Sequence, residues 1–362
     1  MNMSHQNKTI AVAMSGGVDS SVAAALLQQR GFHVFGMTMI HYDSVCAKAY
    51  RAAKDAEKVC RQLGIEHLVV DLREAFQQQV IDDFIREYLA GRTPNPCVRC
   101  NRTIKWGELL NHARHCGADM LATGHYVKLD YDGEAQRYRL LRSRNRQKDQ
   151  SYALWRLTQE QLSQTVFPLE ELNKDQVREL ARKAGLDIAH KAESQDVCFI
   201  PDDDYKRFLI DTLHARGQTI EPGEIVDKNG QVLGTHQGYP FYTIGQRRGL
   251  GIALGRPVFV VDIDAENNRI TVGDKEDLLS PGFCAHETNW VSTSRPDPGT
   301  TVTAHIRYSD PGFKATLDEV TDNNVKVRFE QPRLSVTPGQ SAVFYDGDVL
   351  LGGGVINKKI KE

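Results

Sequence analysis

The sequence predicts an α/β fold that opens with a doubly wound parallel sheet, continues through a small central domain and closes with a β-barrel. Two observations carry this. Over the first 125 residues, short apolar runs alternate with helical stretches of roughly a dozen residues, the pattern of parallel strands joined by crossover helices. From about residue 217 the chain becomes rich in glycine and in short strands, with turn signals at intervals of roughly 8–12 residues, as in a small barrel or sandwich. The 362 residues suffice for two or three domains. The expected division is 1–205, 206–278 and 279–362.

The elements follow in order. Residues 9–14, TIAVAM, read as a short buried strand, and the helical stretch after SGGVDS stops at Gly31. HVFGMTMI is a second strand, 47–63 a helix, 67–72 a third strand and 73–90 a helix. A further helix is expected to begin near Thr103, and 119–125, DMLATGH, supplies a fourth strand. A hairpin turns at Asp132-Gly133. Helices near 158–164 and 172–184 precede an irregular stretch, HKAESQDVCFIPDDD, and the β-rich region closes the chain.

Composition excludes several classes. The hydrophobic fraction is 40% and the charged fraction 25%, ordinary for a globular protein. A net charge of −2 offers no global field for a polyanion, so any nucleic-acid surface has to be local. No apolar run reaches the roughly 18 residues of a membrane span, and the polar start, MNMSHQNKTI, has no signal-peptide core. Seven cysteines do not form a disulfide framework in a chain this long, which predicts a cytoplasmic protein with free thiols.

AMSGGVDSS, residues 13–21, falls between the first strand and the first helix, where α/β folds bind phosphate. Gly16 and Gly17 allow close backbone approach, the helix start adds N–H donors, and Ser15, Ser20 and Ser21 add hydroxyls. Asp19 is a candidate magnesium ligand. The loop has neither the Gly-Lys-Ser/Thr of a Walker motif nor a dinucleotide fingerprint. Without the lysine, the expected chemistry is loss of the β- and γ-phosphates together as pyrophosphate.

TPNPCVRCNRTIKW, residues 93–106, carries Cys97 and Cys100 behind two prolines, and Cys198 lies in SQDVCFIP. A helix start beside the pair favours thiolate. Structural zinc would need a fourth ligand, for which His125 and His190 are candidates. A thioredoxin-like pair lacks its usual context. Three cysteines also allow an iron–sulfur cluster with one open iron. Cys60 and Cys116, within helical patterns, and Cys46 and Cys284 read as small buried apolar residues.

The loop SGGVDSS resembles that of the PP-loop ATP pyrophosphatases, which adenylate a carbonyl oxygen. Together with TPNPCVRCNRTIKW, LATGHYVK, KDQSYAL, SQDVCFIP and YTIGQRRGLG, in that order, it resembles the bacterial tRNA-specific 2-thiouridylases over nearly the whole chain. The resemblance implies an adenine nucleotide alpha hydrolase-like first domain, and conversion of the wobble uridine, position 34, of tRNA to 2-thiouridine with ATP and a sulfur relay. Carried onto this sequence, it implies that Ala13, Met14, Ser15, Gly16, Gly17, Val18, Asp19, Ser20, Met39 and Gly124 bind ATP. Cys100 is then the nucleophile and Cys198 carries the persulfide; either the terminal sulfur attacks carbon 2 directly, or Cys100 attacks the persulfide and frees sulfide, leaving a Cys100–Cys198 disulfide. Asn95, Pro96 and Cys97 contact the target base, and Lys148, Asp149, Gln150, Arg307 and Tyr308 contact tRNA. Some members carry Asp at the position of Cys97, and a thiol is a weaker hydrogen-bond partner. Cys97, Cys100 and Cys198 remain an alternative ligand set for a 4Fe–4S cluster, and another PP-loop ligase, of the NAD or GMP synthetase type, is the alternative enzyme. The implied partners are the anticodon region of tRNA and a sulfur-relay protein or cysteine desulfurase.

Two basic stretches are candidate RNA surfaces. QRYRLLRSRNRQK, 136–148, holds Arg137, Arg139, Arg142, Arg144, Arg146 and Lys148 without an acid, and Arg247 and Arg248 form a second spot.

Overall fold

The computed structural model describes residues 8–42, 46–190, 197–200 and 202–360. Five parallel strands form the first sheet, in the order β3-β2-β1-β4-β7: β1 (Thr9–Ala13), β2 (His33–Ile40), β3 (His67–Asp71), β4 (Met120–Ala122) and β7 (Thr165–Val166). Alternation along β1 explains the double winding. Ile10 and Val12 enter one core with residues of α1 (Val18–Gln29), α2 (Cys46–Leu63) and a later helix, Lys174–Lys183. Ala11 enters the core on the opposite face, with Phe76, Phe84, Trp106 and Leu109. The chain order reverses between β1 and β4, so the C-terminal ends of these two strands flank the crevice where such sheets bind ligands.

Two helices on the second face contain π-helical turns. The first, α3, runs through Arg73–Phe76, a π segment Gln77–Ile81 and Asp82–Leu89. The second, α4, runs through Pro96–Cys100, a π segment Asn101–Leu109 and Leu110–His115. It therefore starts seven residues before the expected Thr103. Pro96 sits at its first turn, where a missing N–H is harmless and the fixed φ suits a helix, so the prolines that looked like a stiff approach are the helix start itself.

The hairpin of β5 (Val127–Asp132) and β6 (Arg137–Arg142) leaves the first sheet and joins the last one through pairing of Leu140 and Leu141 with Leu350 and Val349. α5 (Gln159–Ser163) and α6 (Lys174–Lys183) begin with capping boxes at Thr158 and Asn173. α7 (Tyr205–Ala215), capped by Asp204, occupies residues for which the sequence pattern predicted no helix. A four-stranded mixed sheet follows, ordered β10-β11-β8-β9, from β8 (Gly223–Val226), β9 (Val232–His236), β10 (Phe259–Asp264) and β11 (Arg269–Gly273).

The last six strands are β12 (Leu279–Trp290), β13 (Thr300–His305), β14 (Phe313–Val320), β15 (Asn324–Leu334), β16 (Ser341–Asp346) and β17 (Val349–Lys359). They run antiparallel, and pairing of β12 with β17 closes them into a barrel filled by Phe283, Leu317, Val327 and Phe344. The barrel and the first domain share a core. Trp155 is fully buried, packs so close to Gly353 that a Cβ there would lie 2.7 Å from the indole, and its carbonyl accepts from Asn289 at 2.7 Å.

Trp155→Ala removes the largest side chain at this junction and is expected to cost about 3–5 kcal/mol. Urea unfolding followed by circular dichroism checks this; an unchanged midpoint would show that the junction contributes nothing.

Candidate functional site

The loop after β1 is built as a cradle. Gly16 has φ +64°, and a Cβ there would lie 2.5 Å from the Ala52 carbonyl oxygen. Gly17 caps α1. Ser20 Oγ accepts from the Ser15 N–H at 3.2 Å and donates to the Gly17 carbonyl at 3.1 Å, and Ser21 Oγ donates to the same carbonyl at 2.9 Å. The hydroxyls thus hold the loop's shape, leaving the N–H groups of the first turn of α1 as anion donors. Gly124, just past β4, lies against this turn: a Cβ there would be 2.7 Å from Ser20 N and 2.8 Å from the Asp19 carbonyl carbon. Met39 lies near the end of β2, the next strand along. The residues expected to bind ATP therefore gather at the switch point.

Asp19 does not stand alone. Lys174 Nζ, at the first position of α6, donates to both carboxylate oxygens at 2.8 Å, and the Tyr126 hydroxyl donates to Oδ1 at 2.6 Å. A magnesium ion held by one carboxylate and substrate phosphates fits here if it shares Asp19 with these two donors. Neither Lys174 nor Tyr126 was signalled by the sequence, because 155 and 107 residues separate them from Asp19.

Cys97 and Cys100 lie in the first turns of α4, where the sequence pattern had put them before a helix. Helix entry is fixed by the barrel. Asn95 Nδ2 donates to Gln340 Oε1 at 3.1 Å, Ser341 N–H donates to Asn95 Oδ1 at 2.6 Å, and Thr93 N–H donates to the Pro338 carbonyl at 2.9 Å. Cys198 lies within electrostatic reach of both, since Cys100 and Cys97 add to the burial that raises it. All of Cys97, Cys100 and Cys198 are free thiols. Cys97 and Cys198 are exposed by surface area, yet surrounding protein atoms crowd both thiols, and desolvation is the first influence on their ionisation. The helix start was expected to favour thiolate. Burial wins instead: it pushes Cys97 up, Cys100 up to about 11 and Cys198 up to about 12. The opposing influence is Lys105, which lowers all three.

Lys105 was missed in the sequence. Five residues past Cys100, it would lie far round an ordinary α-helix. Within the π segment, residues five apart come onto one face. Its charge also acts on His41, two residues beyond Met39, and on His125, beside Gly124. Both imidazoles are lowered, first by burial, and His125 Nδ1 lies 2.7 Å from Thr123 Oγ1. Lys105 therefore lies within electrostatic reach of the three thiols and of His41 and His125.

Among the described residues no three His, Cys, Asp or Glu side chains converge as a metal site, so a cluster on Cys97, Cys100 and Cys198 does not fit this arrangement. The same observation removes His125 as a zinc partner; the side chain of His190 and residues 194–196 and 201 of the SQDVCFIP block lie outside the described residues. Cys60 is buried as expected and rises to about 11. Cys116 is exposed and Cys284 half-buried, against the expectation of buried positions, and the Cys46 side chain lies outside the described residues.

The barrel reaches the recess. Tyr308 O–H donates to the Asp149 carbonyl at 3.3 Å, and Cys97, Asp149 and Lys148 all act on the Tyr308 hydroxyl. Asp149 is held by Ser143 and Ser151, and Gln150 accepts from the Tyr126 N–H at 3.0 Å. Residues 148–150 and the Arg307–Tyr308 turn thus meet beside the thiols. The basic stretch 136–148 is not the open patch expected. Arg137 donates to the Trp290 and Val291 carbonyls, Arg139 pairs with Asp130 and Asp132, and Arg146 pairs with Asp348. Arg142 donates to His305 and lies over the Tyr345 ring. The acids lie outside the stretch, on β5 and in the turn between β16 and β17, where a count of charge within the stretch does not see them. Arg144, Arg247 and Arg248 are exposed.

Three family models match in succession: a tRNA methyl transferase HUP domain over residues 8–202, a tRNA methyl transferase PRC-barrel domain over 210–274 and an aminomethyltransferase beta-barrel domain over 280–356. The curated relatives carry a different activity in their names. The tRNA-specific 2-thiouridylase of Carboxydothermus hydrogenoformans is 47% identical over 98% of both chains. That of Caldanaerobacter subterraneus is 48% identical over 98% of this chain and 99% of its own. The chain belongs to the tRNA-specific 2-thiouridylase family. Full-length identity to these 2-thiouridylases outweighs the methyl-transfer wording of the models. A U34-tRNA thiolase from Methanococcus maripaludis with a 4Fe–4S cluster covers 58% of this chain and 67% of its own at 20% identity and a TM-score of 0.34, too little for the cluster to carry over.

With thiols raised to about 11 and 12, alkylation of Cys100 and Cys198 by iodoacetamide is expected to rise about tenfold per pH unit from pH 7 to 10 without a plateau. Lys105→Met removes the cation that lowers them, so it slows alkylation at each pH. Peptide-resolved mass spectrometry checks both; a plateau near pH 8 would contradict the burial argument.

Proposed function

We propose that the chain catalyses ATP-dependent 2-thiolation of the wobble uridine, position 34, of tRNA. The observation that carries this reading is Lys105: one cation acts on Cys97, Cys100 and Cys198 and on the histidines flanking Met39 and Gly124. Sulfur chemistry and nucleotide chemistry then lie within reach of one cation. A PP-loop ligase with a small-molecule acceptor would have no use for these thiols.

The 13–20 loop, with Met39 and Gly124, holds ATP, and Asp19 would hold a magnesium ion that, when bound, would supply charge neutralisation to the phosphates. The uracil 2-oxygen attacks the α-phosphate, and pyrophosphate leaves with the electrons of the broken P–O bond. Oxygen 2 is then a phosphate ester and a competent leaving group. Cys198 carries sulfane sulfur as a persulfide. Cys100 thiolate attacks the Cys198 sulfur, a Cys100–Cys198 disulfide forms, and hydrosulfide is released beside carbon 2. Hydrosulfide adds there and AMP leaves. An external thiol reductant restores both cysteines. The base has to leave its stack to reach the recess, with Asn95, Pro96 and Cys97 as its neighbours and Lys148, Asp149, Gln150, Arg307 and Tyr308 at the tRNA side. A sulfur-relay protein or cysteine desulfurase reloads Cys198, and the thiol chemistry suits the cytoplasm.

Anaerobic 2-thiouridine formation, measured by nucleoside mass spectrometry with ATP, tRNA and added sulfide, tests this. Sulfide is expected to restore part of the activity of Cys198→Ala, while tRNA-dependent pyrophosphate release persists. No restoration, together with iron lost equally from Cys97→Ala, Cys100→Ala and Cys198→Ala, would favour a cluster instead.

A further inference from the structure

A cleft of about 610 Å³ lies between the central sheet and the closing end of the barrel, and none of the thiols or phosphate-loop residues lines it. We propose that it is a docking slot for an extended acidic peptide presented by another protein, seated between two open strand edges.

The walls are strand edges rather than strand faces. Three successive residues of β10, Val261 to Ile263, and four at the C-terminal end of β17, Asn357 to Ile360, line the space. A strand seen face-on offers every second residue, so an unbroken run means that the backbone itself borders the cleft. β10 is the outer strand of its sheet, and residues 245 and 246 cover its edge at Val260. Beyond that point the Ile263 N–H is met by the neighbouring Asp262 Oδ1 at 3.2 Å, a side chain in place of a strand. β17 pairs with β16 as far as Val355, and Gln340 takes the Ile356 N–H. The Ile360 N–H donates to the Gly282 carbonyl on β12, so its neighbour Lys359 turns its own backbone groups to the side that β12 does not occupy.

The charge in the cleft selects the peptide. Lys358 and Lys359 line it with one acid, Asp262. Lys359 spans the space, and its Nζ donates to the Val261 and Asp277 carbonyls at 3.3 and 3.5 Å. These are long contacts to neutral acceptors, so a carboxylate entering between the edges is the stronger partner for the ammonium. Ile244 and Val336 add apolar wall. A strand of alternating acidic and apolar residues can thus satisfy the lysines and the apolar wall with its side chains and the edges with its backbone. Pro338 also lines the cleft, and its carbonyl accepts from the Thr93 N–H, so the bound segment is held beside the stretch that leads to Cys97. Lysines and bulges protect bare edges from unwanted pairing, and the register breaks at Val260/Asp262 and at Cys284/Ala285. Protection alone does not require that two such edges border one open space.

Fluorescence anisotropy of a labelled Glu-Val-Glu-Val-Glu peptide titrated with the full-length protein tests this. Saturable binding is expected. Lys358 and Asp262 are exposed, so substitution there leaves the core intact. Lys358→Glu is expected to weaken binding about two- to tenfold, and Asp262→Asn to strengthen it about two- to fivefold. The same peptide N-methylated at alternate residues, and its Lys-Val-Lys-Val-Lys counterpart, are expected to bind about tenfold more weakly or less well still. Equal binding of the methylated and unmethylated peptides, failure of either substitution to shift binding in its stated direction, or no saturable binding by the wild type would overturn the proposal. Weaker tRNA binding by Lys358→Glu without any peptide binding would assign the cleft to RNA and overturn it as well.

Discussion

The placement of Cys97, Cys100 and Lys105 depends on how the chain enters the helix at Pro96. Residues 93–95 do not run free across the surface. They are laced to residues 338–341 of the barrel by Thr93 N–H, by both ends of the Asn95 amide and by Gln340 Nε2, which donates to the Thr93 carbonyl at 3.0 Å. Gly339, at φ +90°, lets the barrel loop approach closely: a Cβ there would lie 2.8 Å from Thr93 N. The thiol-bearing helix is therefore registered against two bodies, the parallel sheet beneath it and the barrel at its head. A shift of one turn at Pro96 would carry Cys97, Cys100 and Lys105 away from the strand ends together.

The site's electrostatics follow from that placement. Enclosure raises all three thiols, so the recess holds neutral sulfur rather than buried anions, and desolvation costs little until chemistry begins. Charge then develops at two separated places. Lys105 acts on the thiols, and Lys174 pairs with Asp19 beside the phosphate loop.

Much of the fold was legible because strand and helix periods are local. The alternation of apolar runs with helical stretches gave the parallel sheet, and SGGVDSS announced its loop through the strand before it and the helix after it. The thiol pair was legible as a pair, but Thr103 was the wrong start, since Pro96 reads equally as loop or first helical residue. Lys105 was hidden because its facing depends on π-helical winding, which no 3.6-residue pattern reveals. Lys174 and Tyr126 were hidden because only the tertiary fold brings them to Asp19. The arginines of 136–148 misled for the same reason. Their partners, among them Asp348, His305 and the Trp290 carbonyl, arrive from the barrel.

The claim that ties these features together is that Cys100 and Cys198 react with each other in the recess that holds ATP. Enzyme loaded with persulfide at Cys198, mixed once with ATP and tRNA, quenched in acid and mapped under non-reducing conditions, tests it most directly. A Cys100–Cys198 linked peptide is expected in proportion to the 2-thiouridine formed. Thiolated tRNA with these two cysteines unlinked, or with Cys97 joined to Cys100 instead, would contradict it.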